Sequence, residues 1–553
     1  MQIKLKIIYE AGEKEISRES PVLLKNLADE FQKEHPYRIL IARVNGVDNE
    51  LTEYISEDSV VELLDMRTYS ANLAYQHSLS LLYLKAVMDV LGDVDVEIEN
   101  SLNKGLYTEI KTPKPLTQEQ VDDIQEFMRQ LVTEDRPIIK EFFSKEEAID
   151  IWKKYNYPEK STLLEHADNV GITKFYRIGH YQNFFYGLMV PSTGYIEYFE
   201  LRKYRRGVLL RFPSQERPDV IPEFRDDRKL YMAFGEASKW QKLLDIEYLP
   251  ELNQKIKDGF SRDLILLSEA LHEKKVAEIA DRITDEKRRI ILIAGPSSSG
   301  KTTFARRLCV QLRVNGLQPL YMGTDDYFVE REDTPLGEDG LPDYENLDCV
   351  DIKLFNSNLN DLLAGKAVDL PKFDFMTGKK KFGDRITSIR SSQPVVIEGI
   401  HALNDELTPY IDDREKFKIY ISPFTQLNVD VHNRVPTTDA RMLRRIVRDY
   451  KYRGHSAAQT IALWPNVRAG EDRNIFPYNG EADVLFNSAL VYELAVLKKY
   501  ADPLLREVRP DQPEYSEAER MLYFIKYFEV IEDECYIPNN SIMREFIGGS
   551  IFV

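Results

Sequence analysis

The sequence predicts a multidomain protein of mixed α/β and α+β class, with a mainly parallel sheet in its C-terminal half. Three observations carry this. Ile290 to Ala294 is an unbroken apolar run of the kind that forms a strand buried on both faces. It enters Gly295-Pro-Ser-Ser-Ser-Gly300-Lys301-Thr302, after which Phe304, Leu308 and Leu312 recur every fourth residue, so strand, glycine-rich turn and helix follow one another. Near the start of the chain, Ile3, Leu5, Ile7 and Tyr9 alternate with polar residues, the pattern of a half-buried strand. A length of 553 residues accommodates three or four domains.

Composition narrows the function classes. A formal net charge of -18 offers no electrostatic footprint for extended nucleic-acid binding, although a local basic patch stays open. Cys309, Cys349 and Cys535 are far apart and lack metal-ligand spacing, which suggests buried thiols in a reducing compartment. No apolar run approaches membrane-spanning length, so a cytoplasmic protein with no membrane partner is expected. The sequence sets no oligomeric state, and a homo-oligomer is compatible with it.

In chain order, a helix-like stretch from Pro21 to Phe31 follows the first strand. A second strand, Arg38 to Val44, ends at the turn Asn45-Gly46, and Ser59 to Leu64 closes the unit. This pattern over residues 1–65 resembles the TGS domain, a β-grasp module found in threonyl-tRNA synthetases and some GTPases. Residues 66–240 contain RTYSANLAYQHSLSLLYLKAVMDVLG from Arg67 and YGLMVPSTGYIEYFEL from Tyr186. Together these resemble the second, α+β domain of threonyl-tRNA synthetase, whose editing members hold a metal through H-x-x-x-H and C-x-x-x-H. His77 matches the first ligand, but Leu81, Phe185 and Met189 stand at the other three positions. A lone histidine cannot hold Zn²⁺, so the domain reads as a scaffold without editing chemistry, and His77 as a satisfied structural histidine. Residues 241–287 form a helical connector, with Leu264, Leu267, Leu271, Val276, Ile279 and Ile283 at helical spacing.

The chemistry is expected in residues 288–500, with 501–553 as an extension. In the loop from Gly295 through Ser297, Ser298, Ser299 and Gly300 to Lys301, Thr302 and Thr303, the glycines let backbone N–H groups turn inward onto phosphate oxygens. Lys301 adds a point charge, and the Thr302 hydroxyl suits Mg²⁺. Pro319 to Phe328 reads as a strand ending in Asp325 and Asp326, placed to act on an attacking hydroxyl or to bind Mg²⁺. Pro394 to His401 reads as another strand, apolar until Glu398, a metal-holding acid. Arg441, Arg445 and Arg448 fall on one helical face, suited to clamp phosphoryl oxygens from a movable helix.

GPSSSGKTT, DDYF at Asp325, YENLD at Tyr344, LPKFDF at Leu370, IEGIHAL at Ile397 and D-x-R-x-x-R-R-x-x-R-D at Asp439 occur in the order found in the uridine kinase and phosphoribulokinase family of P-loop kinases, which this half resembles. The resemblance implies ATP and Mg²⁺ as cofactors and a small alcohol as substrate, foremost a nucleoside. It makes Asp325 the base on the 5′-hydroxyl, Glu345 the ribose contact, Tyr327 and Phe373 further substrate contacts, and the three arginines a lid. Phe373 and Gly378 replace a tyrosine and a histidine that meet the pyrimidine in uridine kinases, which leaves the base open. A sugar-phosphate kinase is one alternative. Another is a nucleotide-dependent RNA-binding regulator, in which the N-terminal domains would contact tRNA.

Overall fold

The computed structural model describes residues 2–166, 171–337, 343–374, 377–424 and 427–553. In the N-terminal module, β1 (Gln2–Tyr9), β2 (Gly12–Glu19), β3 (Ile39–Val44), β4 (Val47–Glu50) and β5 (Ser59–Asp65) form one sheet in the order β2-β1-β5-β3-β4. Helix α1 (Leu24–Phe31) covers its apolar face with Leu24, Leu27, Ala28 and Phe31. Asn45 and Gly46 both take positive φ, as a two-residue hairpin turn requires, and pair Val44 with Val47. The helix is shorter than the sequence suggests because Val22–Leu23 leave it for a short strand. Strand β2 has no sequence signal, since Ile16 is its one apolar side chain.

The next region centres on α2 (Tyr69–Leu91), buried almost all round and ended by Gly92. It packs against a sheet of β6 (Asp95–Leu102), β7 (Gly105–Lys111), β11 (Glu200–Tyr204) and β12 (Gly207–Arg211), ordered β11-β12-β7-β6. A smaller sheet holds β8 (Ile139–Ser144), β9 (Ile172–Ile178) and β10 (Tyr181–Asn183). A buried carboxylate joins this region to the N-terminal module. Glu50, at the end of β4, accepts from the Tyr176 hydroxyl (2.5 Å) and the Met189 N–H (3.0 Å), and it pairs with Lys140 (2.9 Å).

In the C-terminal half, β13 (Ile290–Ala294), β14 (Leu320–Gly323), β15 (Val395–Glu398), β16 (Lys416–Ser422) and β17 (Val484–Asn487) form an all-parallel sheet ordered β14-β15-β13-β16-β17. Helix α5 (Ser261–Asp285) packs beside α6 (Lys301–Val314), and both bury apolar faces against the sheet. Leu267 of the expected apolar stripe instead faces solvent. Two expected boundaries fall inside helices: residue 240 within α4 (Arg228–Leu244), and residue 500 within α9 (Glu493–Arg506). Among the described residues, no helix is long and apolar enough to cross a membrane.

Glu50→Leu is expected to lower stability by about 2 kcal/mol, because it strands the Met189 N–H and leaves Lys140 with Glu53 alone and the Tyr176 hydroxyl with the Gly187 carbonyl alone. Glu50→Gln keeps an acceptor and should cost much less. Denaturant midpoints of the wild-type protein and the two variants check this, and a Glu50→Leu midpoint equal to the wild type's would show that charge and hydrogen bonding at Glu50 contribute nothing to the joint.

Candidate active site

The carboxyl ends of the parallel strands converge on the loop between β13 and α6. Gly295 has no room for a side chain, since a Cβ there would meet the Ile421 carbonyl oxygen at 2.0 Å. Gly300 takes a φ of +85°, and a Cβ would strike Ile542 at 2.6 Å. The loop therefore curls tightly and brings the N-terminus of α6, with its unpaired N–H groups and positive dipole end, to the sheet's edge. Lys301 folds across it and donates to the Pro296 carbonyl (3.2 Å). The hydroxyls of Ser298 and Ser299 are buried without a hydrogen-bond partner among the described residues, so donors stand ready for an anion.

Thr302, Asp325 and Glu398 line one cavity of about 680 Å³ beside this loop. Asp325 and Asp326 sit on a 3₁₀ turn, Thr324–Tyr327, and not on a strand end; β14 stops at Gly323. The turn sends the two carboxylates to different partners. Asp326 is held by Arg385 (2.6 Å) and accepts weakly from the Phe373 N–H (3.4 Å). Asp325 opens onto the cleft, yet lies deep enough that desolvation raises its pKa, aided by Asp326 and opposed by Lys301. Glu398 accepts from the Tyr321 hydroxyl (2.9 Å), and burial with Asp325 nearby pushes it up to about 7, again against Lys301. Glu345 is likewise pushed up to about 7 by burial and Glu471, with Lys301, Arg445 and Asp325 also acting on it. These groups share one electrostatic neighbourhood.

Two expected substrate contacts are corrected. Tyr327 turns inward, packs edge-to-face on Phe355 and accepts from Asn358 (3.2 Å), because the 3₁₀ turn points it into the core. Phe373 lies in that same core against Phe328. Phe375, the last residue of the LPKFDF motif, lies outside the described residues.

The arginine helix, α7 (Thr437–Arg453), is also not a free lid. Ala440, Met442, Leu443, Ile446 and Val447 bury it in the main core, because its apolar positions face the sheet's helices. Its arginines nevertheless reach the loop. Arg441 donates to the Ser297 carbonyl (3.0 Å) and Arg445 to the Ser297 hydroxyl (2.9 Å). Arg448 turns away toward Asp449 (3.4 Å) and Glu545 (4.0 Å). Arg444, whose place in the same repeat was a usable signal, donates to the Ser298 carbonyl (3.2 Å) and pairs with Glu493 (2.5 Å).

Two acids on the loop had no sequence signal. Glu471, fully buried on α8 (Ala457–Asn474), accepts from the Ser297 N–H (2.9 Å) and pairs with Arg441 and with Arg468 (3.0 Å). Glu545, near the C-terminus, accepts from the Thr303 hydroxyl (2.7 Å). Among the described residues no three His, Cys, Asp or Glu side chains cluster as metal ligands. His77 departs from the expected satisfied histidine, since its Nδ1 is buried with no partner.

Sequence comparison places the phosphate loop inside a known family. Residues 290–494 match the Phosphoribulokinase / Uridine kinase family. A uridine kinase of Ligilactobacillus salivarius is 29% identical over 202 residues, 36% of this chain and 85% of that protein. A threonine–tRNA ligase of Caldanaerobacter subterraneus is 28% identical over 179 residues, which span 32% of this chain but only 27% of the ligase. The solved structure of a possible uridine kinase from Bacillus stearothermophilus aligns with 38% of this chain and 99% of its own, at 22% identity and a TM-score of 0.25.

Because Glu471 places a carboxylate on a loop donor, it competes with a phosphate oxygen at the same N–H. Glu471→Gln is expected to tighten ATP binding by up to about tenfold while lowering the melting temperature by a few degrees, since Arg441 and Arg468 lose their counter-charge. Calorimetric titration and a melting curve check both, and weaker binding would show that Glu471 supports the loop. The matched segment and the loop geometry together make the C-terminal half of this chain a phosphoribulokinase/uridine kinase family domain, preceded by a region homologous to threonine–tRNA ligases.

Proposed function

We propose that this chain transfers the γ-phosphoryl group of ATP to a hydroxyl of a small alcohol, foremost the 5′-hydroxyl of a nucleoside. The observation that carries the reading is the shared cavity of Thr302, Asp325 and Glu398 at the mouth of a phosphate-binding loop. In this reading Asp325 accepts the proton of the acceptor hydroxyl while that oxygen bonds to the γ-phosphorus and the bond to the bridging oxygen breaks, leaving ADP. Lys301 and the loop from Gly295 to Thr303 neutralise the phosphates, and Arg441 and Arg445 steady the loop through Ser297. Arg448, joined to Asp449 and Glu545, would need a shift of α7 to act as the expected lid residue.

The donors present fit Mg²⁺. Burial raises both carboxyls, helped at Glu398 by Asp325 and at Asp325 by Asp326, a cost that a cation relieves, and Mg²⁺ is commonly held by few protein groups plus phosphates and water. Thr302 and Glu398 would hold it, and when bound it would offset charge on the β- and γ-phosphates. Glu345 supports a nucleoside acceptor, lying in the electrostatic neighbourhood of Lys301, Arg445 and Asp325, where its carboxylate could accept hydrogen bonds from a ribose diol.

A second reading, an acceptor that already carries a phosphate, is favoured by Arg306, Arg313, Lys372 and Arg385, which line the same cavity. The proposed division is 1–65, 66–240, 241–287, 288–500 and 501–553, in a cytoplasmic protein.

A phosphotransfer screen against nucleosides, deoxynucleosides and sugar phosphates tests the acceptor, and turnover with none of them refutes both readings. With the best acceptor, Asp325→Asn is expected to lower kcat by about 10²- to 10⁴-fold with ATP affinity nearly intact. Asp326→Asn should cost far less, because Asp326 serves Arg385; the reverse ranking would remove Asp325 from its role.

The pH profile gives an independent check. A carboxylate held near 7 is protonated below that pH, so kcat/KM should fall on the acid side with a midpoint near 7. A nearby cation favours the ionised form, so raising Mg²⁺ should move the limb to lower pH. A limb indifferent to Mg²⁺ would take the metal away from Glu398.

A further inference from the structure

A second cavity, of about 330 Å³, lies away from the phosphate loop. It is walled by α2, by residues 185–188, by the loop 432–436 that leads into α7, and by α10 (Tyr515–Ile525). Its apolar lining includes Leu73, Ile98, Leu106 and Phe524. Asp48, Asp439, Glu519 and Arg520 line it too, while several of its other polar atoms have no partner among the described residues. His432 is 3% exposed; its Nδ1 accepts from Lys160 (3.1 Å) and Asn183 (2.9 Å), which puts its proton on Nε2, with the Val96 backbone as a neighbour. The Tyr186 hydroxyl, His77 Nδ1 and Arg434 Nε are buried without a partner among the described residues.

Charge decides what would satisfy them. Among the described residues no carboxylate lies within ion-pair distance of Arg434, while the neighbouring Asp439 is committed to Arg520 (2.7 and 2.9 Å) and to the Tyr69 hydroxyl (3.0 Å). Burial lowers the Arg434 pKa to about 10, against the opposing pull of Tyr69 and Asp439. Burial likewise holds His77 down at about 4 and His432 well below its usual range, so both are neutral at pH 7, and His432, whose Nδ1 accepts, donates from Nε2. The acids that share the lining do not meet this need, since Asp48 pairs with Arg43, Asp439 pairs with Arg520, and Glu519 is exposed, so the unpaired guanidinium is costly unless an anion completes it.

We infer that this cavity is a binding site for a small organic carboxylate, its anionic head on Arg434 and its apolar body between α2 and α10. The volume lies at the small end of ligand pockets, which limits the guest to a molecule of metabolite size.

The test uses the full-length protein and 4-hydroxyphenylacetate as probe, followed by saturation-transfer NMR, with tyramine as the counterpart that carries an ammonium in place of the carboxylate. The probe is expected to bind with a Kd on the order of a millimolar, as its few heavy atoms allow, and tyramine about tenfold or more weakly. Arg434→Met should weaken the probe by about tenfold or more, and Arg434→Lys, which keeps the charge but loses the planar donor, should fall between them. Lys301→Ala should leave the probe's affinity unchanged, which separates this cavity from the phosphate loop. No probe binding up to about 10 mM, equal binding of tyramine, or full affinity in a folded Arg434→Met or Arg434→Lys protein would overturn the inference.

Discussion

Positive charge held out of water is the constraint on which the C-terminal half depends. A loop that presents backbone N–H groups to phosphates needs cations around it, and here three of them, Arg441, Arg444 and Arg445, are nearly or fully buried. Such groups persist only when each finds an acid or a carbonyl. The protein supplies both kinds of partner. Glu471 serves Arg441, Glu493 serves Arg444 and Asp449 serves Arg445, while the carbonyls of Ser297 and Ser298 take further donors. The loop is thus held from behind by the same guanidinium groups that give it a positive field.

This arrangement explains why segments remote in sequence are packed together. Glu471 comes from α8, Glu493 from α9 and Glu545 from the C-terminal end, so the loop's electrostatic balance draws on the last hundred residues. The extension is therefore integral to the kinase-family domain. Ile542 presses on Gly300, and Glu545 engages Thr303 one turn further on. Helix α7 then carries the connection outward. Its arginines hold the phosphate loop, and its first turn, through Asp439 and Arg520, borders the second cavity. Two unlike sites are thus bordered by the same buried helix.

Much of this was legible in the chain because it depends on local pattern. The strand–loop–helix unit, the hairpin at Asn45-Gly46, the long connector helix and the order of the kinase motifs all follow from short-range spacing, and the structure has each of them. Strand β2 escaped because its side chains are nearly all polar and exposed, so its pairing with β1 writes no hydrophobic signal. Glu471 and Glu545 escaped for a similar reason, since an acid in a charged helix looks the same whether it faces water or a buried arginine.

By itself the sequence determined which residues could carry phosphate chemistry, because glycines, a lysine and hydroxyls at that spacing dictate a backbone curl wherever the chain places it. The tertiary structure alone decided where side chains of adjacent or periodic residues point. A 3₁₀ turn, not strand alternation, parts Asp325 from Asp326 and buries Tyr327. Core packing turns the arginine helix from a lid into a support, and the meeting of α2, α10 and the 432–436 loop creates a cavity that no single segment encodes. The physical reason is common to all three: local pattern sets backbone conformation, whereas burial and counter-charge depend on partners that arrive from distant parts of the chain.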